Sequence, residues 1–328
     1  MAPVAARKPA SFGLASLSGF VSGSGMSIRL LVVLALCVAL SLATPTFLTE
    51  GNILNVLRQS ALLFLIASGL TLVILTGGID LSVGANVGFS ACLAALVLKA
   101  TGSIPLTFGT AICAGAVAGL ANGVLVAALR IPPFIATYGT LWILLGTTYW
   151  FMGGESVHGF PPGFRLLGTG HLLGIPVPIY LMFVFLAIGG LFLNRTRWGQ
   201  EVFAIGANAE AAYLSGIPIR NRLILVYVLS GAMAGLAALV FLARVNSAEG
   251  DIGESLTLPA ITAVLIGGTS LFGGVGTVAG TFTGALILTL VINGMNLLSV
   301  HANWQPFVTG IIVLVAVLID RHSNRHER

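Results

Sequence analysis

Apolar residues in this chain fall into blocks of about twenty, broken by short polar or glycine-rich segments. A helix needs roughly 20 mostly apolar residues to cross the hydrocarbon core of a bilayer. By that ruler ten spans are predicted, at 28–47, 56–75, 83–99, 105–129, 133–152, 176–193, 223–243, 257–272, 277–298 and 304–319. The eighth is short, and glycines interrupt the third and ninth. Backbone polar groups in hydrocarbon need partners within their own segment, so each block is read as a helix. The expected fold class is all-α: a polytopic membrane protein of about ten transmembrane helices.

Two features suggest that these helices form two inverted five-helix halves. Asp80, ahead of the third span, is followed 53 residues later by Pro133-Phe134-Ile135. Glu254, ahead of the eighth, is followed 52 residues later by Pro306-Phe307-Val308. Five spans lie between the two copies, which gives them opposite directions, a common transporter design. The glycine triplets of the fourth and ninth spans do not keep this offset, so the relation requires gaps. Glycines also recur every four residues, as Gly84/Gly88, Gly115/Gly119/Gly123, Gly231/Gly235 and Gly276/Gly280/Gly284. That spacing places small residues on one helix face and lets backbones approach closely.

Charge sets the direction. With the N-terminus inside, eleven of the fifteen Lys and Arg residues fall on inner segments. Only Arg58, Lys99, Arg165 and Arg244 fall on outer ones. This positive-inside bias places both termini and the loop 194–222 in the cytoplasm, and the loops 153–175 and 244–255 outside. Residues 1–27, rich in Ala, Pro, Ser and Gly, are expected to be a disordered cytoplasmic tail. The permease domain follows at 28–320, and 321–328 form a second cytoplasmic tail. The run Leu30–Leu42 continues to Phe47, as an uncleaved first helix rather than a signal peptide.

Composition narrows the class. The chain of 328 residues is 57% hydrophobic and 8% charged, with a mean hydropathy of +1.03. A soluble domain carries about 25% charged residues. The net charge of +5 comes from span ends rather than a patch, so nucleic acid is not expected as a partner and membrane lipid is. Cys37, Cys92 and Cys113 all lie in apolar stretches and read as small buried hydrophobes.

The longest polar break is 194–222, NRTRWGQEVFAIGANAEAAYLSGIPIRNR, basic at both ends with a helix-like stretch at Gln200–Leu214. Two spans can be joined with far less. A long, helical, positively charged loop suits docking of a cytoplasmic protein. The chain has only two lysines, Lys8 and Lys99, and neither follows a glycine-rich loop. The segment Gly267–Gly276 therefore cannot act as a P-loop, which needs Gly-Lys-Ser/Thr at its end. These observations suggest a permease driven by a separate ATPase.

Other breaks carry candidate chemistry. In Thr76-Gly77-Gly78-Ile79-Asp80-Leu81-Ser82-Val83-Gly84, paired glycines break a helix and Asp80 or Ser82 can cap the next one. An acidic residue near membrane depth marks a candidate site. Glu249, Asp251 and Glu254 lie close together but lack calcium-loop spacing, and Arg244 offers a counter-charge. An outer vestibule or a binding-protein contact is the expectation there. The loop 153–175, with Glu155, His158 and Arg165, is expected to cap the outer mouth. His301, Asn303, Trp304 and Gln305 start the tenth span, where Trp304 reads as an interface anchor. No catalytic constellation, cofactor motif or metal-ligand set is present in the sequence.

Three stretches, Gly69–Phe89, Ala204–Ile217 and Ala263–Ile287, closely resemble permease subunits of ribose-, xylose- and autoinducer-type bacterial ABC importers. TGGIDLSVG paired with GGTSLFGGVGT is specific, and the resemblance covers about residues 28 to 320. It implies an inner-membrane permease that moves a sugar delivered by a periplasmic binding protein. It implies a second permease subunit, either another copy or a paralogue, and a separate ABC ATPase subunit.

The resemblance also implies a coupling helix within Gln200–Gly216. Its candidate residues are Glu201, Gly206, Asn208, Glu210, Ala211, Leu214, Ser215 and Gly216. The candidates for the translocation path or its gate are Gly77, Gly78, Asp80, Ser82, Asn86, Glu254 and Asn293. Those for contact with the binding protein are Glu155, Arg165, Arg244, Glu249 and Asp251. The alternatives are a branched-chain amino acid permease and an ion-coupled secondary transporter using Asp80 or Glu254.

Overall fold

The computed structural model describes residues 24–325. Most of the predicted N-terminal tail, and residues 326–328 of the C-terminal one, lie outside the described residues. Residues 24–27 are not tail but the first turn of helix α1 (Ser24–Ala43). Likewise residues 321–325 continue the last helix, α13 (Trp304–Arg325).

Between them run α2 (Glu50–Leu75), α3 (Val83–Thr101), α4 (Ile104–Ala127) and α5 (Pro133–Met152). Next come α6 (Pro162–Thr169), α7 (Val177–Arg195), α8 (Arg197–Ala207) and α9 (Ala209–Leu214). The chain continues through α10 (Ile219–Val245), α11 (Thr257–Ile266) and α12 (Val278–Leu297). Four two-residue strands, β1 (Val157–His158), β2 (His171–Leu172), β3 (Ile175–Pro176) and β4 (Ser247–Ala248), and a 3-10 turn at Glu254–Leu256 complete the described elements.

The fold is all-α and polytopic, as expected. Among the described residues, seven helices are long and apolar enough to cross a membrane: α1, α2, α3, α4, α7, α10 and α12. Helices α5, α11 and α13 occupy the other three predicted spans but do not meet that measure. The eighth predicted span, 257–272, is corrected most. Its helix α11 stops after ten residues, because Gly267-Gly268 turns the chain with Gly268 at φ +75°. A side chain is strained at that φ and glycine is not.

Helix α2 forms the centre. Its residues from Ser60 to Leu75 are buried on every side, which is why this segment has no polar face. Lipid is as apolar as leucine, so close packing rather than water exclusion holds such helices together. The four-residue glycine spacing supplies that packing. A Cβ on Gly115 would strike the Gly231 carbonyl, and one on Gly119 would strike the Tyr227 carbonyl. Helices α4 and α10 therefore cross in backbone contact. Gly280 and Gly284 on α12 meet the carbonyls of Gly267 and Ala263 in the same way.

Two sets of helices have corresponding packing partners. Helix α3 packs on α4, α5 and α10, and α11 packs on α12, α13 and α2. Matching α2 with α10, α3 with α11, α4 with α12 and α5 with α13 converts one set of partners into the other.

Candidate translocation site and coupling surface

The starts of α3 and α11 meet inside the helix bundle. Gly84 N–H donates to Thr257 Oγ1 at 3.1 Å. Cβ atoms on Gly84 or Gly253 would collide with the facing backbone, so only glycine fits on either side. The segment 248–256, on the predicted outer side, reaches this point by running along α3. The Cys92 thiol lies 3.2 Å from the Glu249 carbonyl, and Gly253 packs on Gly84 and Gly88. The segment is therefore not simply a surface loop.

Asp80 lies beside this junction and is 3% exposed. Its Oδ1 accepts from Ser82 N–H at 2.9 Å and from Ser82 Oγ at 2.6 Å. Ser82 Oγ in turn accepts from Asn122 Nδ2 on α4 at 2.7 Å. Asp80 thus closes a turn on Ser82 rather than capping α3, and the Ser82 side chain makes no capping bond of its own. Thr137 on α5 holds the same loop, its Oγ1 accepting from Leu81 N–H at 3.1 Å. Gly77 supplies the left-handed turn at φ +77°. Gly78 leaves room for Tyr227, whose hydroxyl would sit 2.9 Å from an added Cβ. Asn86, one turn into α3, donates to the Gly115 carbonyl of α4 at 3.1 Å.

Two other predicted path residues lie elsewhere. Glu254 is exposed and lines an open cavity of about 490 Å³ with Asp251, Ile252 and Ser255. Asn293 forms a reciprocal amide pair with Asn52, at 2.8 and 3.2 Å. Asn52 is near the start of α2 and Asp80 lies beyond its end, roughly 35 Å away along the helix at 1.5 Å per residue. The structure therefore does not bring Asn293 to Asp80. It adds Asn122, Thr137, Tyr227 and Thr257 instead. Of these, Asn122 carried a readable signal, a lone amide inside an apolar span.

The predicted coupling stretch Gln200–Leu214 is two helices. Thr196 caps α8, accepting from Gly199 N–H at 3.0 Å. Asn208 breaks the run and caps α9, accepting from Ala211 N–H at 2.9 Å. The candidate residues divide between the two. Glu201 is buried, pairing with Arg197 at 2.9 Å and with Arg222 at the start of α10. The bond from Arg222 holds its carboxyl below the usual glutamate range, helped by Arg197 and opposed by burial. The Arg222 guanidinium also lies 4.8 Å over the Trp198 ring.

Gly206 packs against the Leu75 carbonyl and Gly274, fixing α8 to the end of α2 and to the turn after α11. Asn208, Glu210, Ala211, Leu214, Ser215 and Gly216 are exposed, whereas Ala212 is buried. Tyr213 and Leu214 are 70% and 79% exposed, so α9 presents apolar side chains beyond a fixed base.

On the predicted outer side, β1 pairs antiparallel with β4 and joins the two outer loops. Asn246, at φ +60°, accepts from Phe160 N–H at 2.9 Å and strengthens that joint. Glu155, Glu249 and Asp251 are exposed, and Arg165 and Arg244 are half-buried. Among the described residues no group of three His, Cys, Asp or Glu side chains is arranged to hold a metal.

Residues 52–317 match the protein family described as branched-chain amino acid transport system / permease component. The chain is 42% identical to the ribose import permease protein RbsC of Bacillus subtilis, over 88% of this chain and 90% of that one. It is 39% identical to the ribose import permease protein RbsC of Escherichia coli, over 89% and 92%. It is 36% identical to the galactose/methyl galactoside import permease protein MglC of Escherichia coli, over 92% and 94%. No solved structure matches the chain. With a buried polar junction between two helix starts, a helix held out from a fixed base, and these likenesses along nearly its whole length, the chain belongs to this family of transport-system permeases.

Proposed function

We propose that this chain is the membrane subunit of an ATP-driven importer that moves a sugar of the monosaccharide class. The relatives named above are import permeases for ribose or galactose, which favours a sugar over a branched-chain amino acid. The observation that carries the coupling role is α9. It is a capped helix with exposed apolar residues, fixed through α8 to the ends of α2 and α10 and to the turn after α11. A force on α9 therefore reaches several helices at once. ATP-driven closure of a docked ATPase pair would rock them against one another.

In this reading both termini are cytoplasmic, the joined outer loops receive the binding protein, and a second permease subunit completes the path. Glu201 and Gly206 set the position of α9 rather than touch the ATPase. Asp251 and Glu254 offer carboxylates to sugar hydroxyls at the outer cavity.

Affinity purification of the tagged chain from native membranes tests the proposal. The expected outcome is an ATPase with two nucleotide-binding cassettes among the recovered partners. Recovery of that ATPase with a variant lacking 206–215, or sugar uptake that persists without ATP and collapses with an uncoupler, would overturn it.

A further inference from the structure

Asp80 is a buried carboxylate with no cationic partner. Among the described residues, the ion pairs are those of Glu201 with Arg197 and Arg222, and none reaches Asp80. Both of its hydrogen bonds fall on Oδ1. A buried carboxylate left this way is costly, and proteins neutralise or pair it. Two other buried side chains beside it are incomplete. Asn122 spends its Nδ2 on Ser82, while its Oδ1 is buried without a partner. The Tyr227 hydroxyl is also buried without a partner, beside Gly78, two residues before Asp80. Asn122 and Tyr227 are each 1% exposed.

These groups come from three segments that the glycine contacts hold in register. Gly119 and Gly123 of α4 press on Tyr227 of α10, and Asn122 lies between those two glycines. The unpartnered atoms are an Asn carbonyl oxygen and a phenol oxygen, on side chains that meet the Gly78–Ser82 turn carrying Asp80. Neither Asn122 Oδ1 nor the Tyr227 hydroxyl makes a hydrogen bond to Asp80, so a direct hydrogen bond does not close the cluster.

We propose that this cluster binds one monovalent metal cation, sodium or potassium. Its ligands are the Asp80 carboxylate, Ser82 Oγ, Asn122 Oδ1 and the Tyr227 hydroxyl. Oxygen ligands suit a hard cation, and a single carboxylate matches a single positive charge, whereas calcium sites gather several carboxylates. The bound ion ties the α2–α3 turn to α4 and α10 at the junction with α11. This site stands apart from the sugar-import reading, because no part of the argument uses the substrate.

The test is thermal unfolding of the full-length chain in lipid nanodiscs. Sodium, potassium and N-methylglucamine chlorides are compared at equal pH and ionic strength. An ion that binds only the folded state raises the midpoint by mass action, here by roughly 5 °C. The rise is expected with sodium or potassium and absent with N-methylglucamine. Asp80→Asn, which keeps the size and removes the charge, abolishes it. Tyr227→Phe, which removes only the hydroxyl, reduces it and serves if Asp80→Asn does not fold. Equal midpoints in all three salts would mean that a water or a proton serves the cluster, and would overturn the proposal. So would a cation-specific rise that survives both substitutions.

Discussion

Asp80 and Glu254 hold matching places, each just ahead of a helix, α3 or α11, in two sets of helices with corresponding packing. Their surroundings differ completely. Asp80 is buried and bound to Ser82, with α4, α5 and α10 closing around its loop. Glu254 faces an open cavity beside Asp251 and Ser255. The first carboxylate serves the architecture of the junction, and the second is free to meet a solute. Position along the chain did not separate them. What separated them was the length of helix beyond each turn and the element packed over it.

Substitutions at the junction break this comparison most severely. Gly253→Leu drives a side chain into the Gly84 backbone, so folded protein is expected to be lost from membranes; fluorescence-detected size exclusion reads this directly. Survival of a monodisperse Gly253→Leu variant would show that the two helix starts do not need this contact. Next comes Asp80→Leu, which removes the acceptor of both Ser82 hydrogen bonds. A loss of about 2 kcal/mol is expected, seen as a lower unfolding midpoint.

Glu201 sharpens the comparison as a third case, buried like Asp80 but paired with two arginines. Glu201→Gln is expected to cost about 2 kcal/mol and to loosen α8, measured as faster backbone hydrogen exchange across 197–214. Its carboxyl is held below the ordinary glutamate value, so its stabilisation is full above that value of about 4.3 and fades as pH falls through the lower folded one. Unfolding midpoints of the parent and Glu201→Gln chains should therefore converge at acid pH and differ at neutral pH. The smallest stability effect belongs to Glu254→Gln, expected within about 0.5 kcal/mol of the parent. Sugar uptake in membrane vesicles should fall nonetheless. A Glu254→Gln variant with full uptake would remove the cavity from the path.

Much of this architecture was legible before any coordinates. Hydrophobic blocks marked the rough places of the long helices, because a bilayer demands continuous apolar length. Glycine spacing identified faces that do pack in backbone contact, such as Gly119 against Tyr227. The 194–222 loop was recognisable as helical because its polar residues bracket a periodic stretch. The site itself was less legible. Asn293 reads as a path residue in the same way as Asn86, yet its partner Asn52 lies 241 positions away and uses its hydrogen bonds between helices.

The sequence alone thus determined what depends on local composition: helices where water is excluded, turns where glycines pair, and a polar loop where none is needed for connection. Tertiary structure decided what depends on distant neighbours. It set the ten-residue length of α11, the course of segment 248–256 along α3, the burial of Glu201 and the meeting of the Asp80 turn with Asn122 and Tyr227. The physical reason is that a polar side chain is defined by its partners. In a helix bundle those partners sit on other helices, at separations that no local pattern records.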